Sequence, residues 1–261
     1  MMQHQLDEDR RLICAGFDAL SDDSAEGELE AACLISRVLN READLTSIRQ
    51  RVAELCSGCD SPALPWLYLR AQGYGRQSTE TVNPSSSCLD AVLTTKTGLP
   101  IALGVLLIVL ARSQGHDSWG VNFPGHFLVR VGKNLIDPQQ MSEISETDCL
   151  ARLPRAQRST AMAKASPRRI ALRMLNNLKI QYAGMARWDL ALDIVEFQLA
   201  LLPSELSLLL ERGEYWLRLG SLDAARTALQ AALDAAPADS DIARRAREQL
   251  TSIAGRHDTR H

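Results

Sequence analysis

Gly98–Pro138, GLPIALGVLLIVLARSQGHDSWGVNFPGHFLVRVGKNLIDP, sets out a buried helix, a strand bearing a histidine, a short turn and a strand ending in aspartate. Thr97-Gly98-Leu99-Pro100 opens the helix. Proline suits a first helical position, which has no intrahelical use for its N–H. From Ile101 to Leu110 the residues are apolar nearly all round, so this helix should be buried on every side, and Gly115 should end it. In Val121–Val131, period two places His126, Leu128 and Arg130 on one face and Phe127, Val129 and Val131 on the other. A two-residue turn at Gly132-Lys133 pairs Val131 with Asn134 and sets Leu128 opposite Asp137. His126 is then the diagonal same-face neighbour of Asp137, within about 7–8 Å. A three-residue turn would put them on opposite faces. An imidazole held by a carboxylate is the orienting half of a triad, and it is equally a polar pair that satisfies itself in a core.

Ahead of this stretch the spacing predicts helices. A short one lies around Arg10–Leu20, then others over Glu28–Leu39 and Asp44–Cys56, where apolar positions recur every three or four residues. Gly58 and Asp60-Ser61-Pro62 stop the last of these. A helical segment near Leu64–Ala71 precedes the loop Gly73–Ser87, too long for a simple connector, which reads either as a cover over a site or as an extended surface segment. Cys88–Thr95 reads as one more short helix.

The 261 residues are 46% apolar and 23% charged, as in a folded globular protein. A net charge of -3 offers no whole-protein argument for nucleic acid or membrane. The polar N-terminus MMQHQLDEDRR has no secretory pattern. The apolar run Leu99–Ala111 is shorter than the roughly 18–20 residues that span a bilayer. A cytoplasmic protein is expected. Six scattered cysteines suit a reducing compartment, and only Cys56-Ser-Gly-Cys59 forms a recognisable pair. That pair lacks the βαβ context of a redox motif and the second pair of ligands of a zinc site.

From Cys149 to Trp188 no Asp or Glu occurs, while Arg152, Arg155, Arg158, Lys164, Arg168, Arg169, Arg173, Lys179 and Arg187 do. Its first part, 151–169, reads as a basic linker. Without interleaved aromatics it does not read as a nucleic-acid site. Beyond it Pro203 and Pro237 stand 34 residues apart, each closing a helical pair. Tyr182 corresponds to Trp216, Ala191 to Ala225 and Val195 to Leu229. That period, with an aromatic in the first helix and a small residue in the second, is that of the tetratricopeptide repeat. Gly213 and Gly220 fit close helix approach in the second copy, where the first has Lys179 in place of Gly213. A charged amphipathic helix over Asp239–Ile253 should cap the stack.

With both halves read, the chain resembles the bacterial SirB-type family, in which a transglutaminase-like domain of the papain-type cysteine-protease fold is joined to tetratricopeptide repeats. The resemblance rests on Ala31–Arg37, Cys88–Leu93, Thr97–Ile101, Pro124–Arg130 and Ile136–Pro138, in order, and covers about residues 28–240. It implies an α+β fold, mostly helical. A papain/transglutaminase-like domain with a small antiparallel sheet fills 1–150. An all-α module follows at 170–261, with repeats at 170–203 and 204–237 and a capping helix. Counting back from Gly115 to the place of the nucleophilic Cys in catalytically competent relatives reaches Pro100. The resemblance therefore carries over His126 and Asp137 as a triad remnant without an attacking atom. Cys88 lies ten residues before Gly98 on a separate short helix, and its spacing does not support it as the missing nucleophile.

The expected function is that of a non-catalytic binding or regulatory protein, whose repeats present a groove to a protein or peptide. Asn176, Asn177 and Lys179 would line its inner wall, and a basic groove favours an acidic peptide or carboxylate terminus. The alternative is a hydrolase or acyl transferase of the cysteine-protease superfamily, using His126 and Asp137 with another nucleophile. Only those two side chains converge, whereas structural zinc takes four ligands, so neither metal nor cofactor is expected.

Overall fold

The computed structural model describes residues 2–59, 64–75 and 83–258. Asp60-Ser61-Pro62, read as a helix stop, and residues 76–82 of the long loop lie outside the described residues. The chain divides into two compact units, Met1–Met174 and Leu175–His261.

The first unit opens with α1 (Met2–Asp18), longer than the short helix expected there, then α2 (Gly27–Leu39), α3 (Leu45–Ser57) and α4 (Pro65–Ala71). Asp44 starts α3 by accepting the N–H groups of Thr46 and Ser47, two donors with no partner inside the helix. A 3₁₀ turn (Pro84–Ser87) and α5 (Leu89–Thr95) lead into α6 (Pro100–Ser113). Pro100 is the first residue of α6, and every residue from Ile101 to Ile108 is buried. Helices α2 to α5 pack around α6 on one side and the sheet packs on the other.

The sheet is four antiparallel strands in sequence order: β1 (Ser118–Val121), β2 (Leu128–Val131), β3 (Asn134–Asp137) and β4 (Ser142–Ile144). It approaches α6 closely because two glycines make room for one ring. A Cβ on Gly104 would lie 2.6 Å from the Phe127 ring, and one on Gly120 would lie 2.6 Å from its far end. Arg112, at the end of α6, forks onto the carboxylate of the buried Glu28 at 2.7 Å through both terminal nitrogens, and also donates to the carbonyls of Ala25 and Ser118. One bidentate pair thus joins the start of α2, the end of α6 and the start of β1.

After β4 come α7 (Glu146–Ala151) and α8 (Arg155–Arg158), then α9 (Pro167–Gly184), within which the boundary between the units falls. Residues 151–169, read from composition as a linker, lie in the first unit. Ala165 donates its N–H to Gly120 O at 2.8 Å, Lys164 bridges Val121, and Ala161 and Ala165 are buried. Backbone pairing and small apolar residues hold this stretch along β1, which composition alone does not reveal.

The second unit continues with α10 (Trp188–Leu201), α11 (Leu206–Arg218), α12 (Leu222–Ala235) and α13 (Asp241–Asp258). The paired positions Ala191 and Ala225, and Val195 and Leu229, are all fully buried. Gly213 lets α12 come close, since a Cβ there would lie 2.6 Å from the Leu229 side chain. Gly220 works differently from the close approach expected of it. It faces open space at φ +77 and turns the chain out of α11 in the left-handed region. No helix among the described residues is long and apolar enough to cross a membrane.

Candidate functional site

The hairpin register is the expected one, with Val131 paired to Asn134 and Val129 to Ile136. The histidine is not where the periodicity put it. Val121–Val131 is two strands, broken by Pro124-Gly125, with Gly125 at φ +76. His126 lies in the bend before β2, exposed, its ring centroid 6.4 Å from that of Phe123. Asp137 ends β3, half-buried, with Oδ1 accepting the Gln139 N–H at 2.8 Å. No hydrogen bond joins His126 to Asp137 among the described residues.

Both side chains nevertheless line one cavity of about 450 Å³. Its apolar wall is Phe123, Leu128, Ile144 and Leu153, part of a small core that also includes Val121, Leu135 and Ala161. Its roof is α7 and the residue that follows, carrying Asp148, Cys149 and Arg152. Ser145 caps α7 by accepting the Asp148 N–H, and Arg130 of β2 anchors the helix through Glu146 at 2.5 Å. In the sequence Arg152 counts only as one charge of the basic stretch, and Ser145 with acids behind it announces a helix but not what it covers.

No residue of α6 lines the cavity. Helix α6 meets the sheet on the Phe127 and Val129 side, whereas the cavity opens on the Leu128 side. Cys88 is buried at the start of α5 and does not reach the cavity either. The sulfur that does is Cys149. Burial is the main influence raising its thiol pKa above the ordinary value; Arg152 pulls the other way, while Asp148, Asp137 and Glu146 push further up. A thiol so placed stays protonated at neutral pH. Cys56 and Cys59 are free thiols at the end of α3, and Cys56 is likewise pushed up by burial. Among the described residues no three His, Cys, Asp or Glu side chains are grouped to hold a metal ion.

The turn carrying His126 is clamped from α9. Arg173 donates through Nη1 to Asn122 Oδ1 at 2.7 Å and Phe123 O at 3.2 Å, and its guanidinium lies 5.8 Å from the Phe127 ring centre. Burial lowers its pKa below the ordinary arginine value. Other charges of the basic stretch are also spent on structure. Arg158 donates to Leu153 O and Ala151 O, and Arg168 to the carbonyls of Asp18 and Leu20 at the end of α1.

In the second unit Asn176 is exposed and Asn177 half-buried, while Lys179 is only 7% exposed and its ammonium is taken by Glu211. Lys179 therefore replaces the glycine of the second copy as one half of a part-buried ion pair, not as a groove cation. A cavity of about 680 Å³ lies further along, against the start of α10 and faces of α11 and α13. Trp188 stacks on Tyr215 with ring centroids 6.1 Å apart, and Arg218 lies 5.3 Å over Trp188. Glu214 accepts from Arg245 at 2.6 Å and Gln249 at 2.8 Å, leaving the Gln249 Oε1 buried without a partner.

Residues 32–176 match the family described as transglutaminase-like superfamily, and residues 178–251 match a tetratricopeptide-repeat family. A UPF0162 protein of Xylella fastidiosa (strain 9a5c) is 31% identical over 184 residues, 65% of this chain and 66% of that protein. A UPF0162 protein of Pseudomonas aeruginosa is 35% identical over 116 residues, 41% of this chain and 43% of that protein. The chain thus spans just under two thirds of the Xylella relative. No solved structure matches it. Helix α6 against a four-stranded sheet, followed by paired helices at a 34-residue period, agrees with both family matches: the chain belongs to the transglutaminase-like superfamily and carries a tetratricopeptide-like helical region behind that domain.

Proposed function

We propose that the protein is a non-catalytic, cytoplasmic binding or regulatory protein of the SirB type, engaging a protein or peptide through its repeats. One observation carries the reading. Pro100 occupies the first position of α6, and α6 contributes nothing to the cavity that His126 and Asp137 share. Thiolate catalysis needs a sulfur at the positive end of a helix within reach of the imidazole, and that helix end has none. The repeat groove supplies the working surface. Arg218 makes no ion pair among the described residues, and Gln249 Oε1 lacks a donor. An acidic peptide answers both, with a carboxylate for the guanidinium and a backbone N–H for the amide oxygen.

The test is affinity capture from native lysate with the full chain and two full-length variants, followed by calorimetry on the recovered partner. Arg218→Glu should lose the partner and His126→Ala should keep it. Retention by Arg218→Glu together with loss by His126→Ala would move the function to the sheet cavity and abandon the groove.

The enzyme reading keeps one observation, that Cys149 lines the same cavity as His126 and Asp137. It requires Cys149 to alkylate faster at neutral pH than a free thiol and to slow in His126→Ala. The raised thiol predicts the reverse, alkylation slower than glutathione and indifferent to His126.

A further inference from the structure

The sheet cavity holds more chemistry than a triad remnant uses. Asp137 lies half-buried in it with no cation beside it among the described residues, and its Oδ2 makes no hydrogen bond. Arg152, on the roof, is exposed, and its side chain pairs with no acid or carbonyl among the described residues. A carboxylate and a guanidinium thus line one cavity, neither in an ion pair among the described residues, together with the apolar side chains of Phe123, Leu128, Ile144 and Leu153. Burial does most to raise the pKa of the Cys149 thiol in this cavity, Arg152 lowers it, and Asp148, Asp137 and Glu146 raise it further, so charges of both signs lie near it.

We propose that this cavity is a binding site for a small zwitterion with an apolar side chain, an apolar α-amino acid or a dipeptide carrying the same two charges. Its ammonium pairs with Asp137, its carboxylate with Arg152, and its side chain lies on the apolar wall. A singly charged ligand would answer one group and leave the other unpaired. Asp148, one helical turn before Arg152, also lines the cavity and stands on the guanidinium side of it. The volume of about 450 Å³ is within the range of roughly 300–1,000 Å³ usual for small-molecule sites. The inference goes beyond the repeat groove and stands independently of it.

The experiment is calorimetric titration of the full chain at neutral pH with leucine, leucyl-leucine, N-acetyl-leucine and leucinamide. The zwitterions should bind, and each capped analogue should bind at least about tenfold more weakly. Asp137→Asn keeps an oxygen for the Gln139 N–H, so the turn survives while the charge is lost. Arg152→Gln removes a side chain with no structural partner. Each should weaken zwitterion binding by about tenfold, and Arg226→Gln in the second unit should leave it unchanged. No saturable heat with either zwitterion overturns the proposal, as does an affinity untouched by both substitutions. Equal binding of a capped analogue makes the site one for a single charge and overturns it too. The preferred source is whichever of leucine and leucyl-leucine binds more tightly. Mass spectrometry of the recovered dipeptide separates this inference from the non-catalytic reading. Cleavage would end that reading and leave the site standing, and absent binding would leave the groove test untouched.

Discussion

Cys33 shows how a single buried thiol couples stability to pH. It is fully buried in α2, and burial pushes its pKa from 9.0 to about 11, with Arg49 pulling down and Glu30 pushing up by less. The folded state holds this proton more tightly than the unfolded chain. Its contribution is therefore whole below pH 9 and is lost as pH rises through 11. Chemical denaturation at stepped pH should show a loss of about 2–3 kcal/mol across that window from this group. Cys33→Ala should flatten the slope there whatever it does to stability at pH 7. An unchanged slope would show that the alkaline loss comes from the other raised groups, Cys56, Cys149, Tyr74, Tyr182 and Tyr215. At this same scale the sequence was only partly legible. Period two and the Gly132-Lys133 turn placed Asp137 and the β2–β3 register, because a hairpin's pairing is local. His126 escaped that logic. Pro124-Gly125 interrupts the strand with a missing N–H and a left-handed φ, and both signals were visible in the residues themselves. Ser145, Asp148 and Arg152 could not be assigned. A short polar helix says nothing of the surface it will cover.

Among the elements, α6 and the repeats were readable because each imposes a period on many residues. An all-round apolar run admits only burial, and a 34-residue repeat constrains two copies at once. Comparing the copies exposes a flaw in the first. Gly220 turns out of α11 at φ +77, and its counterpart 34 residues earlier is Ala186 at φ +54. An L-residue with a Cβ pays roughly 1–2 kcal/mol for that conformation, while glycine's freer unfolded chain gives back about 0.5–1 kcal/mol. Ala186→Gly should therefore stabilise the protein by about 0.5–1 kcal/mol in urea, against the usual sense of adding a glycine. Gly220→Ala should cost a similar amount. A destabilising Ala186→Gly would mean that the methyl group makes contacts worth more than the backbone strain.

At the scale of the whole chain, two units each enclose a core of their own. The first centres on α6, with Leu106 at 1% exposure, and the second on α11 to α13, with Leu229 fully buried beside Leu210, Ala232 and Ala246. The unit boundary falls within α9 rather than at the proline- and arginine-rich stretch where composition changes, because composition records charge and a boundary records packing. Truncating either leucine to alanine leaves a cavity and should cost about 2–5 kcal/mol. The two residues share no cluster, so the double mutant should lose the sum of the single losses to within about 0.5 kcal/mol. Urea titration followed by far-ultraviolet circular dichroism would measure all three variants. A double mutant that loses much less than the sum would mean that damage to one core already releases the other. Strict additivity would instead mean that each core answers for its own truncation alone, as two separately packed units require.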